Sequence, residues 1–150
     1  MISMSEINAG IVSFVRLAAK EVFGDTPVKV LANDEKMPER PAVRIFTDTV
    51  SSGIICSGSR LREIACEIFF HTGDAKQYRP ENLKIADILA DGLIASLELK
   101  DGFFVYPENV EVDIDGSVVL CSFDFSMLED MPEPEMPMAE ELENEFESEN

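Results

Sequence analysis

Two long alternating segments bracket a single amphipathic helix, and this pattern sets the limits on what the chain can fold into. In Arg60–His71, Ile64, Cys66, Ile68 and Phe70 fall on one side, and Glu63, Glu67 and His71 on the other. In Ser117–Leu128, Val119, Cys121, Phe123, Phe125 and Met127 oppose Ser122, Asp124 and Ser126. Successive side chains of a strand point to opposite faces, so each segment reads as a strand with one buried and one polar face. Between them, Ile85, Leu89, Leu93 and Leu97 recur four apart, and Ala86 and Ile88 widen the stripe. That spacing predicts a helix over Glu81–Leu97, with Pro80 at its start, where a missing N–H costs least. Gly92 inside this helix is the position at which the chain would approach the sheet closely.

The rest of the chain supplies shorter elements. Ile7, Ile11, Val15, Ala18 and Val22, widened by Phe14, predict a first helix over Ser5–Phe23. Ser3 and Glu6 have capping-box spacing, and Gly24 reads as the stop. Strands are predicted at Val28–Leu31, Ala42–Val50, Phe103–Tyr106 and Val110–Ile114, with turns at Asp101-Gly102 and Asp115-Gly116. Asn33–Pro41 and His71–Arg79 read as loops. Ser51–Ser59 is rich in Ser and Gly, yet Ile54, Ile55 and Cys56 sit in its middle. Two readings of these residues stand side by side. They are apolar groups on a hairpin tip that a neighbouring subunit buries, or the strands run further and these residues finish the core. Phe69 shares a face with Glu63, Ala65 and Glu67, opposite the main apolar side, so a partner or a helix is expected over it.

The 150 residues suit one domain, long enough to fold without disulfides or metal. Thirty acids against twelve bases give a formal charge of −18. Its distribution is uneven. Residues 1–100 carry fourteen acids and twelve bases, whereas residues 101–150 carry sixteen acids and no base. Binding DNA or RNA needs clustered Lys and Arg, and anionic membranes attract the same groups, so neither is an expected partner. No apolar run is long enough to span a bilayer, and Met1–Glu6 lacks the pattern of a secretory signal. Three cysteines without CxxC spacing read as reduced thiols in a cytoplasmic setting. Glu129–Asn150 holds ten acids in twenty-two residues and three prolines near its start. It reads as a solvated tail with a thin stripe of Ala139, Leu142 and Phe146, distinct from the domain over residues 1–128.

Parts for catalysis are scarce. There is one histidine, His71, and no HExxH, GxSxG, Walker or GxGxxG motif. Cys66 and His71 lie five apart on a strand and point to opposite faces. Asp113 and Asp115 share a face, and a hard cation would accept such a pair, but they read as a hairpin shoulder in water. The expectation is no enzyme, no catalytic residue, no metal and no cofactor.

Three segments together resemble the tail terminator (tail completion) proteins of long-tailed bacteriophages: Arg60–Phe70, Ile85–Ala90 and Asp115–Phe125. They present a basic residue opening an alternating strand, an alanine- and leucine-rich helix, and an Asp-Gly turn into a Phe-rich closing strand. The resemblance covers Ile7–Leu128 and leaves the acidic tail outside. With the element order it implies an α+β fold, a mostly antiparallel β-sheet packed with two α-helices. It also implies a structural virion protein of the tail, assembled in the host cytoplasm. That protein would form a hexameric ring that caps the tail tube, ends its polymerisation and meets the head-completion proteins, while DNA passes through the lumen without specific binding. Ile54, Ile55, Cys56 and Phe69 are the candidate subunit-interface residues. The rival expectations are an acidic DNA mimic that inhibits a nucleic-acid-binding enzyme, and another head–tail connector or tail-tube ring protein.

Overall fold

A computed structural model describes residues 2–31, 41–72 and 78–130, with Tyr78 described by its backbone only. The elements are α1 (Met4–Phe23), β1 (Lys29–Leu31), β2 (Ala42–Cys56), β3 (Ser59–His71), α2 (Tyr78–Gly92), β4 (Leu97–Lys100), β5 (Phe103–Val105), β6 (Glu108–Asp115) and β7 (Val118–Asp130). Most of the loop expected at Asn33–Pro41, part of that at His71–Arg79, and the tail beyond Asp130 with its Ala139, Leu142 and Phe146 stripe lie outside the described residues.

The two alternating segments become neighbours at the centre of one sheet, ordered β1-β2-β3-β7-β6. β1 runs parallel to β2, and the other pairings are antiparallel. β3 and β7 pair along their whole length, from Ser59 opposite Asp130 to His71 opposite Val118. This register aligns Ile64, Cys66, Ile68 and Phe70 with Val119, Cys121, Phe123, Phe125 and Met127 on one buried face. Both helices close that face. α1 contributes Ile7, Ile11, Val15, Ala18 and Ala19, and α2 contributes Ile85 and Leu89. α2 lies over β6 and β7, while α1 reaches β2 and the small β4–β5 hairpin. The fold is the α+β class expected from the pattern.

Local signals explain where the elements start and stop. At the head of α1 the Glu6 N–H donates to Ser3 Oγ (3.1 Å) and the Ser3 N–H donates to Glu6 Oε1 (3.2 Å), a complete capping box. At its end Gly24 takes a positive φ of 59° and donates its N–H to Lys20 O. Asp101-Gly102 makes the β4–β5 turn, with Gly102 at φ 77°. In the β6–β7 hairpin Asp115 pairs with Val118, so Gly116-Ser117 is the loop, one residue later than the expected Asp115-Gly116.

Several features differ from expectation. α2 ends at Gly92, and Leu97 belongs to β4. The four-residue spacing continued past the true helix end because Leu97 and Leu99 are also inward positions of a short alternating strand, with Glu98 and Lys100 exposed. Gly92 does not approach the sheet. A Cβ there would lie 2.5 Å from the Phe14 ring of α1, so the glycine makes room for the other helix. The close backbone approach falls at Gly10, where a Cβ would stand 2.4 Å from Leu99 O. Finally, β7 runs on to Asp130, and Glu129 is buried.

Candidate assembly surface

Beyond Thr49 the β2–β3 hairpin continues as an arm. Ser51 pairs with Glu63, Ser52 with Arg62, Gly53 with Leu61, Ile54 with Arg60, and Cys56 with Ser59. The register slips twice, between Thr49 and Ser51 and between Ile54 and Cys56, which leaves Val50 and Ile55 as bulged residues. Bulges bend a strand and re-aim its side chains. Every residue from Val50 to Cys56 is exposed: Val50 at 64%, Ile54 at 71% and Ile55 at 59%. One reading of this segment, that the strands finish the core, is only half right. The strands do run further, but Ile54, Ile55 and Cys56 finish no core.

A buried ion cluster lies beneath the arm, level with Ser52 and Ile54. Arg60, Arg62 and Glu129 occupy the same inward face that is apolar further along β3 and β7. Arg62 Nη2 lies 2.8 Å from Glu129 Oε1, and Arg60 Nη2 lies 3.3 Å from the same oxygen. The Ile2 N–H donates to Glu129 Oε2 (3.0 Å), and Arg62 Nη2 donates to Ile2 O (2.7 Å). Arg62 and Glu129 are nearly inaccessible to solvent. Buried charges persist only when paired and hydrogen-bonded. Here the pairing ties the β3 side of the arm to the segment that leads into α1.

The four expected interface residues do not form one site. Ile54, Ile55 and Cys56 lie together at the arm's end. Phe69 sits near the other end of β3, opposite Arg44 and Leu120, roughly 30 Å from Arg60 at a strand rise of about 3.3 Å per residue. No helix covers Phe69 among the described residues. Its half-buried ring meets Phe46 edge to face, with centroids 5.5 Å apart. Exposed apolar residues that escaped the sequence reading include Ile94, Phe104 and Tyr106, Val50 and Leu128 on the sheet, and Leu17, which is 68% exposed on α1. The only signal at Leu17 is that it falls off the helix's apolar stripe.

Leu17 belongs to a second apolar surface. A groove of about 430 Å³ runs between the helices, lined by Phe14, Leu17, Ala18, Ile88 and Gly92 together with Glu21 and Asp91. The Gly92 notch that admits the Phe14 ring shapes its floor.

The uncovered sheet face is acidic. Glu63, Glu67, Glu111, Asp113 and Asp115 are exposed there. Glu108 stands opposite Asp124, and Asn109, at φ 52°, donates its amide to both Asp124 oxygens (3.1 and 3.0 Å). Asp113 accepts the Ile114 N–H (2.9 Å). Among the described residues no three His, Cys, Asp or Glu side chains group as metal ligands. Burial pushes the Cys66 thiol up to about 12 and the Cys121 thiol up to about 11, so both stay protonated and inert near neutrality. His71 lies on the face opposite Cys66. Cys56, on the arm, is the exposed thiol.

These features define a class: an α+β protein whose surfaces are built for contact, with its apolar surplus displayed on an arm and in a groove. The family described as phage tail terminator protein matches residues 6–138, and the chain belongs to that family. It is a structural protein of the phage tail and works against other components of the virion tail. No curated protein matches the chain. Among the described residues no helix is long and apolar enough to cross a membrane.

Proposed function

We propose that this protein closes into a ring on the last ring of the tail tube, ends tube growth and presents its other face to the head-completion proteins. Six copies is the number the family resemblance implies. The observation that carries the reading is the anchored arm: a tail protein that displays Val50, Ile54 and Ile55 to water on a hairpin anchored through Arg60 and Arg62 has a surface made for a neighbour. Closure requires a heterologous contact whose rotation returns to the start. Termination requires that the far face lack whatever recruits another tube ring, so stopping is a difference in affinity between two faces. The net negative charge suits a lumen that lets DNA pass without gripping its phosphates.

The double substitution Ile54→Asp and Ile55→Asp tests the arm. Both side chains are exposed, so the monomer's thermal transition stays within a few degrees of wild type. Light scattering is expected to show the loss of rings, and tail tubes grown with the variant are expected to run overlong. Normal rings from the variant would clear the arm of an interface role. Tubes of uniform length without the protein would sink the terminator reading itself.

A further inference from the structure

The arm and the helix groove lie at opposite ends of the molecule, and their chemistry matches. Thr47 Oγ1 donates to Asn8, and Thr49 Oγ1 reaches Met4 Sδ, so β2 runs toward the start of α1 and the arm continues past it. Leu17 lies thirteen residues along α1 from Met4, roughly 20 Å at 1.5 Å per residue. The arm adds about 20 Å in the other direction at a strand's rise. The tip cannot reach the groove of its own chain.

We propose that the arm tip, Ile54 with Ile55, seats in the α1–α2 groove of a second copy, against Phe14, Leu17 and Ile88. The inference deepens the ring reading and rests on it. One contact covers both apolar surfaces, and because knob and groove occupy opposite ends it is heterologous, the geometry a ring needs. The bulge at Ile55 lifts its branched side chain out of the ladder beside Ile54, a shape suited to insertion. Edge-to-edge sheet pairing is the other way to join copies. Past Arg44 on β2 and past Asp124 on β7, the edges that face away from β3 carry no described strand. Yet the two bulges interrupt the β2 edge, and the inward charge of Glu129 blunts the β7 edge against pairing.

Two variants test the assignment by complementation. Leu17→Asp spoils the groove and keeps the arm, whereas Ile54→Asp with Ile55→Asp spoils the arm and keeps the groove. All three positions are exposed, so folding is preserved and circular dichroism checks it. Each variant alone is expected to be monomeric by light scattering, and an equimolar mixture is expected to stop at a dimer, since only one sound knob and one sound groove remain. A Leu17→Asp protein that assembles like wild type overturns the docking and leaves the ring reading intact. So does a mixture that stays monomeric. A wild-type protein that forms no ring, alone or on tube ends, overturns both.

Position is read separately with the native thiol. In a Leu17→Cys variant a short bis-maleimide is expected to join Cys56 of one copy to position 17 of the next, giving a ladder on a denaturing gel that Cys56→Ser abolishes. The buried Cys66 and Cys121 stay silent. A ladder from Leu128→Cys, with none from Leu17→Cys, would place the copies edge to edge and overturn the proposal.

Discussion

Single atoms decide how α1 sits. Gly10 faces the backbone of Leu99, and backbone cannot swing aside. Gly10→Ala is therefore expected to cost about 1–3 kcal/mol in denaturant unfolding, the usual range for overpacking. Gly92→Ala meets the far end of the Phe14 ring, which can turn, and gains helix propensity, so its loss is expected to be smaller than that at Gly10. A second residue-scale effect is electrostatic. Glu6 accepts from Lys100 Nζ (2.8 Å) and from Ser3, and these bonds hold its carboxyl down to about 2, from an ordinary value of 4.5. A carboxyl lowered in the folded state stabilises above the unfolded value, and the effect is lost as pH falls toward 2. The melting-temperature gap between wild type and Glu6→Gln is thus expected to hold from pH 7 to about 5, then to close between pH 4.5 and 2. The Ser3–Glu6 box was legible from spacing. The Lys100 contact was not, because it joins residues 94 apart in the chain.

At the scale of elements, period-two patterning located β3 and β7 closely, since each has one face in the core and one in solvent. The arm was harder to read. Its Ser- and Gly-rich composition marks a loop, and only pairing with β3, itself paired with β7, keeps it in strand geometry. The start of α2 has a hidden tie of the same kind. Buried Asn82 donates its amide to Gly116 O (2.9 Å) and accepts from Thr72 Oγ1, while the Thr72 N–H donates to Ser117 O (3.2 Å). This network pins the helix to the β6–β7 turn. Asn82→Ala is expected to destabilise by about 1–3 kcal/mol, the cost of unpaired buried polar groups, as measured by chemical denaturation. Nothing in the local sequence singles out Asn82, which looks like an ordinary polar residue in a first helical turn.

For the molecule as a whole, the question is where the folded body ends. Composition alone places the change at Glu129, where acids become dense. The buried cluster places Glu129 inside the body, between Arg60, Arg62 and the Ile2 backbone. A chain ending after Asp130 is expected to keep the thermal transition of the full protein within a few degrees. Ending it after Leu128 removes the carboxylate and leaves Arg62 buried without its partner. Breaking a buried pair in this way costs about 3–5 kcal/mol, and calorimetry of the two truncations separates the cases.

The sequence by itself determined the α+β class, the two central strands and both helices to within about five residues, because periodicity and turn chemistry are local, and its resemblance to the tail terminators pointed to the family. Only the tertiary structure decided that Ile54 and Ile55 stand in water, that Phe69 leans on Phe46, that Glu129 is a core residue, and that a groove opens beside Leu17. Each of these depends on which distant segment lies alongside, and a hydrophobic side chain reads the same in sequence whether its neighbour covers it or leaves it bare.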